Sequence, residues 1–168
     1  MKKIFSTLII LISCTNLYAG EMPSSAEAAK VLDFYYHGQG KGVILMETKF
    51  CSSIGKTGAE KNECTDDLNN APTKGEQVNF WMTYLVPKDE KDIKIIIQFE
   101  QGGITRMVKN IVLSGSIRFR TWRKIKFSKT GNWAIKIIQE MGDNTKILKE
   151  MKINVQAAAP AATIPPTQ

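Results

Sequence analysis

Five side chains at alternate positions, Arg118, Arg120, Trp122, Lys124 and Lys126, make the strongest chemical pattern in the chain. Side chains of a strand alternate between its faces, so all five share one face if the segment is extended. Four like charges on one face repel. Either neighbouring strands offset them, for example with cross-strand carboxylates, or an anionic partner meets them. Arginine beside an indole suits cation–π stacking and recognition of carboxylates or phosphates. A plain solvated strand face, or a lysine-rich edge that discourages aggregation, is the competing reading. The alternate residues Ile117, Phe119, Thr121, Ile125 and Phe127 are then the core side.

A second chemical element is the pair Cys51 and Cys64, which enclose 12 residues. In an oxidising compartment an even cysteine count reads as a disulfide, and closing that loop contributes roughly 3 kcal/mol in the chain-entropy view. Two free thiols are the alternative. A metal site is disfavoured, because two thiolates need further ligands and the chain has 1 histidine, His37. Asp66, Asp67, Asn69 and Asn70 carry oxygen ligands but lack the spacing of a calcium loop, and read as loop caps. His37 lies in a glycine-flanked turn with no Gly-x-Ser-x-Gly elbow anywhere. No carboxylate pair singles itself out. The expectation is a non-enzymatic protein with no cofactor and no metal.

The compartment follows from the first residues. Lys2 and Lys3 precede an apolar run, Ile4 to Ile12, and Leu17-Tyr18-Ala19 ends in a small residue at a cleavage position. That is the pattern of a secretory signal peptide over 1–19, and its apolar run is too short to span hydrocarbon. Leu11-Ile12-Ser13-Cys14 also fits a lipobox, which would make Cys14 a lipid-anchored first residue of an outer-membrane lipoprotein. Both routes export the chain to the periplasm. No later segment is long and apolar enough for a transmembrane helix. The formal net charge of +7 suits an acidic partner surface. Nucleic acid is a poor fit for an exported chain without a recognised module.

Further elements must position these residues. Ser24 and Glu27 have capping-box spacing, and Ala28, Val31, Leu32, Tyr35 and Tyr36 fall on one helical face. This predicts a short helix from Ser25 to Tyr36 that packs on the domain, within a helix-and-linker region over 20–40. From Val43 the period becomes two. Strands are expected at Val43–Phe50, Val78–Val86, Ile93–Glu100, Ile104–Val108, Ile117–Phe127, Trp133–Met141 and Ile147–Val155, with a further short one at Asn110–Leu113. Gly102-Gly103 joins two of them as a hairpin. The expectation over 41–155 is an all-β fold, an antiparallel immunoglobulin-like sandwich of about seven strands, with a small open barrel as alternative. Residues 156–168 are Ala, Pro and Thr without charge and read as a disordered tail.

Three local pieces carry a family resemblance. Lys61-Asn62-Glu63 resembles a basic-x-acidic loop before a first strong strand. Phe119-Arg120-Thr121-Trp122 is similar to a Trp-Arg-Thr-aromatic signature, with Phe119 in place of the Trp and Arg123 where a Ser is usual. Gly131-Asn132-Trp133 with the Gly142-Asp143 turn looks like a closing Gly-x-Trp hairpin. Over about Phe50 to Val155 the chain thus resembles the bacterial envelope domain-of-unknown-function family 2914. The resemblance implies a short β-rich envelope module that binds another envelope component. Export, the lack of a catalytic set and the cationic-aromatic face lead to the expectation of a binding or assembly module that docks on another envelope protein, as an accessory part of a secretion-type complex. The alternative expectation is a secreted or periplasmic inhibitor that plugs an enzyme cleft with the Cys51–Cys64 loop.

Overall fold

The computed structural model describes residues 24–38 and 42–158. The expected signal peptide over 1–19, Cys14 and residues 159–168 of the expected tail lie outside the described residues. One helix, α1 (Ser25–His37), precedes seven strands: β1 (Ile44–Cys51), β2 (Gln77–Val86), β3 (Ile93–Gln101), β4 (Ile104–Leu113), β5 (Ser116–Lys126), β6 (Gly131–Met141) and β7 (Asn144–Val155). A short 3-10 turn, Gly58–Glu60, lies between β1 and β2. All strand pairs are antiparallel. They form a three-stranded sheet, β1-β2-β5, and a four-stranded sheet, β4-β3-β6-β7. The chain changes sheet after β2, β4 and β5, which gives the Greek-key pattern of an immunoglobulin-type sandwich. The structure joins the two expected pieces Ile104–Val108 and Asn110–Leu113 into one strand, because β4 keeps pairing with β3 from Ile104 to Leu113 through a single register shift.

Alternation sets the core. Val78, Phe80, Met82, Tyr84 and Val86 from β2 face Ile93, Ile95, Ile97 and Phe99 from β3 across the space between sheets, with Trp133, Ile135 and Ile137 of β6. An aromatic chain runs through it. Phe50–Phe80, Phe80–Phe99, Phe99–Phe127 and Phe127–Trp133 have ring centroids 4.8, 5.7, 6.0 and 5.0 Å apart, within the range where tilted and edge-on rings attract. Burial of Tyr84 pushes its phenol pKa well above the usual range, and the hydroxyl contacts Met82 Sδ at 3.3 Å.

The two open sides of the sandwich are each closed by one basic side chain. Lys149 of β7 donates from Nζ to Thr48 Oγ1 of β1 at 2.9 Å. Arg123 of β5 donates from Nε and Nη2 to the Asn110 carbonyl of β4 at 3.1 and 2.9 Å. At the C-terminal end Gln156, expected to begin the disordered tail, is fastened instead. Its N–H donates to Pro72 O and its carbonyl accepts from Lys74 N–H.

α1 begins as expected. The Ser24 hydroxyl accepts from Glu27 N–H and the Glu27 carboxylate accepts from Ser24 N–H, which holds the Glu27 carboxyl below its usual pKa. The helix runs one residue beyond Tyr36, so His37 is its last residue rather than a turn residue. His37 meets Asp33 Oδ1 at 2.9 Å, one helical turn back. α1 contacts β2 and β5, and Tyr35 O accepts from Lys88 N–H. None of its residues is buried.

Candidate functional site

The candidate residues occupy the outer face of the three-stranded sheet. β5 is an edge strand paired to β2 with Thr83 opposite Arg120, Trp81 opposite Trp122, Asn79 opposite Lys124 and Gln77 opposite Lys126. Since Val78, Phe80, Met82 and Tyr84 enter the core, the intervening residues of β2 and their β5 partners point away from it. The expected cationic face therefore exists, with Trp122 at its centre.

The opposite side of β5 differs from expectation at two positions. Ile117 is 44% exposed rather than core. The register shifts between Tyr84 and Val86, which takes Ile117 out of the alternation, and it lines a gap with Val31 of α1, Met46 and Thr83. Arg123, left unassigned by sequence, shares the core side with Phe119 and Ile125 and carries the cross-sheet bond to Asn110.

Cys51 and Cys64 form the expected disulfide, with Cα atoms 5.7 Å apart. The loop they close is an irregular ribbon. Asn62 N–H donates to Gly55 O at 2.8 Å and Gly55 N–H donates to Glu63 O at 2.9 Å. A Cβ on Gly55 would stand 2.0 Å from Glu60 O, so glycine alone allows this close approach. Asp66 accepts from the Ser52 hydroxyl, and Asp67 Oδ1 accepts from Asn69 N–H at 2.8 Å. These are loop-capping roles.

The ribbon lies on the sheet and divides the cationic face. Trp81 is almost fully buried beneath it, and its Nε1–H donates to Asn62 O at 2.8 Å, giving the buried indole the acceptor it requires. Glu63 reaches both arginines. Its Oε1 lies 3.1 Å from Arg118 Nη1 and 2.8 Å from Arg120 Nε. The Arg120 contact is an ion pair rather than a directed hydrogen bond. One carboxylate thus serves two guanidinium groups. Lys124 and Lys126 are exposed, and neither makes an ion pair among the described residues.

Beyond the ribbon, the Lys124 end of the face is a groove of 510 Å³. Lys56, Asn62, Gln77, Asn79, Trp122 and Lys124 contribute to its lining, and no carboxylate does. Asn79 donates from Nδ2 to Cys51 O and Ser52 O at 3.4 and 3.2 Å, which orients the amide and leaves its oxygen free to accept. Lys56, Gln77 and Asn79 carried no signal in the sequence. Only the fold of the ribbon brings Lys56 to Lys124. No group of three or more metal-binding side chains occurs among the described residues, and no helix among them is long and apolar enough to cross a membrane.

No family model and no curated protein matches the chain. Among solved structures, the crystal structure of the C-terminal domain of Wzt is similar to it at 13% sequence identity with a TM-score of 0.48, over 71% of this chain and 75% of that one.

Proposed function

We propose that the chain is an exported, non-enzymatic envelope protein, a binding or assembly module that docks on another periplasmic or outer-membrane component. The observation that carries this reading is the uncompensated end of the β5 face. Lys124 and Lys56 line a groove with the Trp122 indole and without carboxylates, and Lys126 is exposed two residues further along β5, whereas the two arginines are already matched by Glu63. Unpaired surface cations steer an anionic partner and favour its approach. The signal-peptide pattern, the lipobox alternative at Cys14 and the family resemblance support the location. The Cys51–Cys64 disulfide is in keeping with an oxidising compartment. A place within a secretion-type complex belongs to the same reading.

The inhibitor reading is less well supported. A plugging loop must project, and here Asn62 and Glu63 hold one limb of the ribbon down on β2 and β5.

A crosslinked pull-down from native cell envelopes tests the docking. Lys124→Glu/Lys126→Glu is compared with Lys146→Glu/Lys152→Glu, an equal charge change on the other sheet. Loss of the captured component in the first variant alone is expected. Equal capture by both variants and the wild type would overturn the reading. Arg118→Glu/Arg120→Glu is a poorer probe, because it would also repel Glu63 and release the ribbon.

A further inference from the structure

We infer that the groove at the Lys124 end of β5 takes a carboxylated saccharide chain. This rests on the docking reading and names the chemistry of the docked component.

The lining combines three functions that such a ligand needs together. Trp122 offers an indole, on which the apolar C–H face of a pyranose ring can lie while its hydroxyls point sideways. Gln77 and Asn79 flank it from β2. The Gln77 amide presents a donor and an acceptor side by side, which matches adjacent sugar hydroxyls, and Asn79 adds its carbonyl oxygen as an acceptor, its two N–H groups being engaged by Cys51 O and Ser52 O. The Asn79 amide is already held in one orientation by Cys51 O and Ser52 O, so little ordering is needed on binding. Lys56 and Lys124 stand on the ribbon and on β5, as separate point charges suited to carboxylates spaced along a chain. The volume of 510 Å³ lies within the range of small-molecule sites.

Two other anionic ligands fit less well. An acidic peptide that docks by strand addition needs the free backbone edge of a sheet. This groove instead lies over the sheet face, between the ribbon and the side chains of β2 and β5. Bidentate phosphate recognition favours guanidinium forks, and the arginines of this face, Arg118 and Arg120, already have Glu63 as counter-charge and do not line the groove.

Titration calorimetry with the full chain tests the inference. The probes are hexagalacturonate, neutral maltohexaose and polyglutamate. Hexagalacturonate is expected to bind, and the other two to bind at least about tenfold more weakly. Lys56→Glu, on the exposed ribbon and away from the core, should weaken hexagalacturonate about tenfold or more. Trp122→Ala should do the same, with Trp122→Tyr restoring most of the affinity because an aromatic face remains. An unchanged melting temperature in Lys56→Glu keeps that result separate from misfolding. If polyglutamate binds equally and Trp122→Ala has no effect, the groove is only a charged surface and the inference fails. If hexagalacturonate does not bind while Lys124→Glu/Lys126→Glu still abolishes envelope capture, the saccharide is wrong and the docking reading stands. If envelope capture is also indifferent to that variant, both fail.

Discussion

The two ends of the β5 outer face start from the same alternation of basic residues and reach different states. At the Arg118 end, one carboxylate from a loop more than fifty residues away in sequence meets two guanidinium groups. At the Lys124 end the charges stay exposed beside a groove. The difference comes from where the disulfide ribbon lands. Asn62 and Glu63 are adjacent in sequence, so once Asn62 O caps the Trp81 indole, Glu63 is placed over the arginines. Charge compensation on this sheet is thus a consequence of satisfying a buried N–H. The uncompensated end is the part the ribbon does not cover.

Breaking the ribbon should erase the contrast with the largest effect. Cys51→Ser/Cys64→Ser removes the covalent closure and should lower stability by about 3 kcal/mol, read as a lower urea midpoint at similar slope. Tryptophan emission should also shift to the red as water reaches Trp81. A midpoint lowered without any red shift would mean that the ribbon stays on the sheet by its non-covalent contacts alone.

Most of the strand pattern was legible because a sheet with one buried face writes period two into its sequence. Ile93 to Phe99 and Trp133 to Gln139 are examples. The helix start was legible because Ser24 and Glu27 satisfy each other locally. Three features were not. β2 is buried on both faces, with Trp81, Thr83 and Leu85 as inaccessible as their core-facing neighbours, since α1 and the ribbon come to lie on its outer side. Ile117 left the core through a register shift that no local residue announces. The groove joins Lys56 to Lys124 across a long sequence gap, and each alone is an ordinary surface lysine. Periodicity reports which face a residue occupies; what later covers that face depends on contacts distant in sequence.

Arg123 sharpens the comparison, because it is the one basic residue of β5 on the core side. It donates to Asn110 O from two nitrogens and to Trp122 O from Nη1 at 2.9 Å. Arg123→Met should destabilise by about 1.5 kcal/mol, as expected for hydrogen bonds from a charged donor at a partly exposed site. Arg123→Lys should recover little of this, since a single ammonium cannot reproduce the fork. Chemical denaturation of both variants gives the answer. Full recovery by lysine would show that charge near β4, rather than the two-pronged bond, closes that side of the sandwich.

The smallest expected effect isolates the electrostatic half of the contrast. Glu63→Gln keeps the shape and the hydrogen bond from the Trp81 indole N–H to Asn62 O but removes the charge shared by Arg118 and Arg120. Arg118 and Arg120 side chains are 53% and 29% exposed and Glu63 21%, so water screens the pairs and the loss should stay below about 1 kcal/mol. Its origin can be read from salt. At low ionic strength Glu63→Gln should be measurably less stable than the wild type. The gap should narrow as added salt shortens the screening length to about 3 Å near 1 M. A cycle with Arg120→Ala should return a coupling of the same small size. A gap that is large and indifferent to salt would instead make Glu63 a packing residue, and the Arg118 end would then differ from the Lys124 end in shape rather than in charge.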